Sequence, residues 1–317
     1  MNARNHIASL MLVVCALLFP GFATVVNAQS DYDQVFIFGD SLSDAGNIYA
    51  LTGETSKAPY TPIPARPYAI GGHHFTNGKT WAERLAQDLN NPAGGKASRA
   101  NPGKNGNYAH GGARARANSD SSSPSSAQQV AMFLGDFGTA PTAALYVLQF
   151  GGNDLRDALV AGASNPAAIQ PILGAAVSDL AAAIQTLYLA GARRFLIANA
   201  PNIENAPVVQ MSGAGAVAGF LVGLYNGGLE GTLQALEAIL PGIDIRRFNM
   251  AAITDEIVEN PADFGLTNVV APCLSFLVTS DAKCDNPEDY FFWDGLHPTV
   301  IGHGVLADAA LAALTGG

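Results

Sequence analysis

The chain has 317 residues, of which 49% are hydrophobic and 13% charged, a balance that excludes a disordered segment, a fibrous coil and a small stapled module. With 16 basic against 26 acidic side chains the formal charge is -10, so the surface repels the phosphates of nucleic acid.

Residues 1–28 read as a secretory signal peptide. Arg4 precedes an apolar run from Ile7 to Phe19, Pro20 and Gly21 break it, and Val26, Asn27 and Ala28 supply the cleavage positions. Cleavage is expected after Ala28, because 13 residues fall short of the ~20 that cross a bilayer. No later segment is expected to be long and apolar enough to span. Residues 29–317 are expected to form one domain, acidic and exported to the periplasm or the medium, with 15 basic and 26 acidic side chains and a net charge of -11. Cys15 leaves with the signal. Cys273 and Cys284 lie 11 positions apart, and outside the cytosol a disulfide is the default reading. Free thiols would instead indicate a reducing compartment, and a metal site would need further ligands at zinc spacing.

In chain order, the mature sequence alternates short β-branched or aromatic runs with longer segments of helical period. A strand at Gln34–Phe38 precedes a Pro- and Gly-rich stretch, Tyr49–Gly78, and a helix at Thr80–Leu89. A second irregular stretch, Asn90–Gly106, leads to a short strand ending near Tyr108 and a Ser-rich run, Ser119–Ser126. Then come a helix at Gln128–Leu134, a strand at Leu145–Phe150, a helix at Pro166–Ala190 and a strand at Arg194–Asn199. A helix at Ala214–Ile239, a strand at Ile243–Phe248 and helices at Met250–Glu259 and Thr299–Leu314 complete the chain. Five strands with crossover helices predict an α/β fold, a three-layer α/β/α sandwich around a parallel sheet. Long loops in such folds surround the crevice at the strands' carboxyl ends, so 49–78 and 90–106 are expected to wall a substrate pocket. The composition of 119–126 suits a solvated spacer equally well.

Chemistry concentrates at four strand ends. The first strand runs into Gly39-Asp40-Ser41, where a glycine allows a sharp turn and Ser41 is held at the sheet's edge as a nucleophile would be. Near the other end, Asp294 and His297 precede a Pro-started helix, a spacing that sets a carboxylate against one ring nitrogen and frees the other. Between them, Asn107 to Ala113 ends in the pair Gly111-Gly112, and Gly151-Gly152-Asn153-Asp154 follows another strand. Both offer N–H donors to a developing oxyanion. Taken singly, each pattern is also that of an ordinary turn or helix cap.

Together the four segments, FGDSLSDAGN, NYAHGGA, GGND and WDGLHPT, resemble the GDSL, or SGNH, family of serine esterases and lipases. HFTNGKTW at 74–81 is similar to the segment common after that family's first block. The resemblance spans the mature chain and implies a flavodoxin-like sheet and hydrolysis of carboxylic acyl esters. It implies Ser41 as nucleophile, His297 as base, Asp294 as its partner, and an oxyanion hole of the Ser41 and Gly112 N–H groups with the Asn153 side chain. Gly112 rather than Gly111 is chosen because the family's glycine lies five positions after the block's Asn, here Asn107. His110 and His303 are expected to be structural.

No cofactor or metal is required by this chemistry. A small-molecule or lipid acyl ester is the expected substrate, with no stable membrane insertion and a monomeric state. The acidic net charge leans toward neutral or cationic esters. Gly72–Thr80 has the wrong spacing for a phosphate loop, 213–219 misses a dinucleotide fingerprint by one residue, and neither a Gly-x-Ser-x-Gly elbow nor a His-Glu-x-x-His helix occurs. An acyltransferase with the same residues is the rival enzyme, and a non-catalytic lipid- or glycan-binding module the rival of another class.

Overall fold

The computed structural model describes residues 32–117 and 123–316. The expected signal peptide with its cleavage point, Cys15 and residues 119–122 of the Ser-rich run lie outside them.

Strands β1 (Val35–Gly39), β2 (Leu145–Gln149), β3 (Arg194–Ala198) and β4 (Asp244–Phe248) form one parallel sheet in the order β1-β2-β3-β4. Their side chains alternate between two cores, as a period of two requires. Phe36, Phe38, Tyr146, Leu148, Phe195 and Ile197 face one, and Val35, Ile37, Leu145, Val147, Leu196 and Ala198 face the other. On the first side lie α3 (Ser126–Phe137), α4 (Gly152–Ser164), α5 (Ile169–Leu189) and α7 (Gly215–Ile239); on the second lie α2 (Trp81–Asp88) and α9 (Val300–Thr315). The three-layer α/β/α arrangement is therefore as expected. Three short pieces, α1 (Asn47–Thr52), α6 (Pro207–Met211) and α8 (Met250–Glu259), border the sheet's carboxyl edge, and β5 (Asn268–Pro272) pairs with β6 (Tyr290–Phe292) outside it.

The sheet has four strands, not five. The segment ending near Tyr108 runs beside β1, with Ile37 N–H donating to Gly106 O and Tyr108 N–H to Ile37 O, but only Ile37 and Asn107 make a parallel bridge. The next rung is only half made: His110 N–H donates to Gly39 O at 3.1 Å, but Gln129 intercepts the return bond from Gly39 N–H. Gly39 N–H donates to Gln129 Oε1 and the Gln129 amide donates to Gly39 O, both at 2.9 Å. Tyr108 O is taken instead by the His110 ring at 2.7 Å.

Helix boundaries follow their caps. Thr80 and Glu83 form a capping box on α2, Ser125 and Gln128 another on α3, and the Thr299 hydroxyl accepts from Gly302 N–H at the start of α9. Helix α4 has no counterpart among the predicted elements, since Asp154, Arg156, Asp157 and Gly162 dilute its apolar stripe to Leu155 and Ala158. One further expectation is corrected: residues 166–189 are long enough, and over an 18-residue window apolar enough (mean hydropathy 1.6), to cross a membrane. In the fold, Leu173, Ala176, Leu180, Ile184 and Leu187 of that segment are buried in the first core, at the spacing of one helix face.

Candidate active site

All four sequence blocks meet at the carboxyl ends of β1, β2 and the 106–110 segment, where a parallel sheet opens. Gly39 turns the chain out of β1, and a Cβ there would lie 2.8 Å from Gln149 O. In the block that follows, Ser41 borders the opening while its neighbours tie the turn down. Asp40 accepts from Leu42 N–H at 3.0 Å and from the Gln149 amide at 3.2 Å. Burial outweighs these bonds and pushes its carboxyl up to about 6. Asp44 accepts from the N–H groups of Gly46, Asn47 and Gly111 at 2.6–2.8 Å. The Asn47 amide donates to Asn107 O and Ala109 O, both at 2.8 Å.

The turn after β6 carries the other half. His297 Nε2 lies 2.8 Å from Ser41 Oγ, and Nδ1 lies 2.8 Å from Asp294 Oδ2. Asp294 Oδ1 accepts from the N–H groups of Leu296 (2.8 Å) and His297 (2.7 Å), and Oδ2 also accepts from the Tyr68 hydroxyl at 2.7 Å. Every partner of this buried carboxylate is a donor, so the His297 Nδ1–H points at it and Nε2 is the acceptor facing the serine. Phe75 packs against the His297 ring at 5.5 Å between centroids.

Donors surround the same opening. Among the described residues, the Ser41 and Gly112 N–H groups have no protein partner, whereas Gly111 N–H is taken by Asp44. Gly112 is therefore the glycine with an N–H to offer. Its φ of 79° is left-handed, a conformation that favours glycine. The peptide carrying that N–H is held from behind, where the Ser123 hydroxyl donates to Gly111 O. The Asn153 amide donates one hydrogen to Ala113 O at 2.9 Å, and its second remains available.

Three further histidines are structural in geometry. His110 accepts from Arg99 at 2.7 Å, and burial, backed by the Arg99 charge, pushes its imidazole down to about 4. His303 accepts from Trp81 N–H at 3.2 Å, and burial holds it at about 3. His74 sits 2.8 Å from Glu83, whose hydrogen bond and charge overcome the lowering effect of burial and raise its pKa.

Two cavities flank Ser41 and the pair Gly111-Gly112. One, about 50 Å³, is bounded by Ser41, Asn153, Ile203, Met250, Phe292 and His297. The other is a cleft of about 480 Å³ reached past Gly111 and Gly112, with Ile48, Ile63, Phe75 and Arg156 in its walls. The stretch 49–78 thus does wall a cleft at this edge, but 90–106 lines neither cavity. Its Arg99 N–H instead donates to the Asn47 side chain at 3.0 Å, bracing the first block from behind. Among the described residues no cluster of three His, Cys, Asp or Glu side chains could hold a metal ion.

Sequence reading missed Tyr68, which lies in the irregular 49–78 stretch with no motif around it. It is fully buried with Trp293, Leu274 and Cys273, and Cys273 is joined to Cys284 by a disulfide. A buried tyrosine far from any motif carries no one-dimensional signal of its partner.

The chain matches the GDSL-like lipase/acylhydrolase family over residues 35–310. It is 28% identical over 312 residues to an uncharacterized protein of the trpE-trpG intergenic region of Pseudomonas putida, covering 91% of this chain and 49% of that one. It is 26% identical to the thermolabile hemolysin of Vibrio parahaemolyticus (88% and 63% covered) and 22% identical to GDSL esterase/lipase 5 of Arabidopsis thaliana (86% and 80%). The chain thus spans about half the length of the first of these relatives and under two thirds of the second. A family match across nearly all the described residues, with its four blocks gathered at one sheet edge, shows that this chain belongs to the GDSL-like lipase/acylhydrolase family.

Proposed function

We propose that the protein is an exported serine esterase or lipase that hydrolyses carboxylic acyl esters through an acyl-serine intermediate. The observation that carries this reading is the pair of 2.8 Å contacts linking Ser41 Oγ to His297 Nε2 and His297 Nδ1 to Asp294. Export rests on the signal-like residues 1–28 and on a disulfide, which persists in oxidising compartments. Residues 29–317 act as one catalytic domain.

In the first half-reaction Ser41 Oγ bonds to the ester carbonyl carbon while its proton passes to His297 Nε2. The carbonyl oxygen becomes an oxyanion facing the Ser41 and Gly112 N–H groups and the Asn153 amide. Asp294 stabilises the imidazolium and keeps its ring in place. The tetrahedral species then collapses, the C–O bond to the alcohol breaks, and His297 protonates the departing oxygen. Water, deprotonated by His297, attacks the acyl-serine and the same steps release the acid. The donors are fixed before substrate arrives, which is why they lower the barrier rather than merely bind.

The test is hydrolysis of 4-nitrophenyl esters from acetyl to palmitoyl by the mature protein beside Ser41→Ala, with fluorophosphonate labelling of both. Turnover and labelling that disappear together in the variant support the reading. Labelling of Ser41 without hydrolysis of any ester points to a transferase, and a folded protein with neither points to a binding module.

A further inference from the structure

The 480 Å³ cleft differs in character from the protein's surface as a whole. Ile48, Leu51, Ile63 and Phe75 give it an apolar body, two arginines, Arg66 and Arg156, stand in its lining, and none of its described lining residues is acidic. Arg66 is already matched by Glu54 at 2.6 Å. Arg156 is not matched in the same way. It shares Asp157 with two other guanidinium groups: Arg114 holds both Asp157 oxygens, at 2.5 and 2.9 Å, Arg116 contacts Oδ2, and Arg156 reaches Oδ1 only at 3.5 Å. Asp154 is the other carboxylate of the cluster, and it stands 3.4 Å from Arg116. Asp40 also feels the Arg156 charge, but its oxygens are filled by Leu42 N–H and the Gln149 amide. Among the described residues these three guanidinium groups face two carboxylates, Asp154 and Asp157, and Arg156, whose contact is the long one, is 35% exposed on the cleft side.

Resting on the esterase reading above, we infer that Arg156 is a specificity-determining residue that makes this cleft a subsite for esters carrying an anionic group, a carboxylate or a phosphate, on an apolar chain. A half-exposed guanidinium with a long ion pair loses little solvation when an anion arrives, and a forked, charge-assisted contact is the arrangement Arg favours. The acidic net charge of -10 does not oppose this, because charges beyond about 8 Å are screened at physiological ionic strength. The Arg156 charge in the cleft wall decides which ester enters. The apolar walls exclude free inorganic anions, which bring no chain to bury, and select an amphiphile. The lean toward neutral or cationic esters drawn from net charge is thereby reversed for this one subsite.

The experiment measures kcat/KM for paired esters in wild type, Arg156→Gln and Arg156→Lys. On the acyl side the pair is 4-nitrophenyl pentanoate and mono-4-nitrophenyl glutarate. On the alcohol side phenyl acetate is compared with 4-acetoxybenzoate and 4-acetoxyphenyl phosphate, which separates carboxylate from phosphate recognition. The expected result is that the anionic-to-neutral ratio on one side falls about tenfold or more in Arg156→Gln, as loss of a charge-assisted contact requires. Arg156→Lys, which keeps the charge if the Gln variant folds poorly, retains part of the preference, and added salt weakens the preference in wild type. Ratios that agree within about a factor of two in wild type and Arg156→Gln on both sides overturn the subsite while leaving the esterase standing. Absence of turnover on every ester, neutral ones included, removes the esterase reading and this subsite with it.

Discussion

The Tyr68 hydroxyl and the Asp294 carboxylate lie 2.7 Å apart, joining the irregular 49–78 stretch to the residue that orients His297. Tyr68 donates to the same oxygen, Oδ2, that receives the His297 ring, so the two bonds together fix where that oxygen sits. Burial, together with the Asp294 charge and hydrogen bond, keeps the phenol protonated far above neutral pH, so it is a donor throughout the working range. Tyr68→Phe is expected to lower kcat about tenfold with KM changed far less, the size of a lost hydrogen bond to a charged group. Steady-state kinetics on one neutral ester checks this, and an unchanged kcat removes Tyr68 from the positioning of the site.

Asn153 is expected to act on the transition state. Its free amide hydrogen faces the opening, while the other is held by Ala113 O. Asn153→Ala should cost about 10²–10³ in kcat. Thermal unfolding should shift by only a few degrees. A loss confined to KM would assign the residue to substrate binding instead.

Gly111 and Phe75 form a test of packing. A Cβ on Gly111 would fall 2.2 Å from the Phe75 ring, and that ring also supports His297. Gly111→Ala is expected to destabilise the protein by ~1–3 kcal/mol through overpacking and to lower activity by displacing the ring. Adding Phe75→Leu to Gly111→Ala should restore stability relative to the single variant. The double-mutant cycle reads the coupling directly, and strict additivity would show that the two positions are independent.

Removing the disulfide tests how far the site leans on the loop behind it. Cys273 and Cys284 close a loop of sequence separation 11 that packs with Tyr60, Tyr68 and Trp293. Cys273→Ser with Cys284→Ser should lower stability by ~3 kcal/mol. It should also reduce kcat at temperatures well below unfolding, because Tyr68 loses part of its packing. Full activity in the folded double variant would confine the disulfide to a stabilising role.

The buried histidines set an acid limit. His110 and His303 have folded pKa values lowered to about 4 and about 3. Their contribution to stability is therefore fully present above the unfolded value near 6.5 and is lost as pH falls through the folded values. Asp40, raised to about 6, acts in the opposite direction, its share being present below the unfolded value and lost as pH rises through about 6. His303→Gln should thus flatten the fall in melting temperature between pH 6.5 and 4, and Asp40→Asn should steepen it. Parallel pH profiles for the three proteins would refute both assignments.

The sequence by itself determined the layered α/β/α arrangement and pointed to the candidate site residues. Strands buried on both faces read as short apolar runs, long helices carry their period, and a nucleophile at a strand end needs its glycine beside it. Ser41, Asp294 and His297 were legible because each stands in a turn whose local geometry is written within a few neighbours. What only the tertiary structure decided depends on partners distant in sequence. Gln129, 90 residues from Gly39, ends the fifth strand after one bridge. Asp44 occupies Gly111 N–H across 67 positions and so leaves Gly112 as the donor. Tyr68 reaches Asp294 across 226 positions. Hydrogen bonds saturate, so which donor is spent and which is left for the substrate is a property of the folded contacts and not of any local pattern.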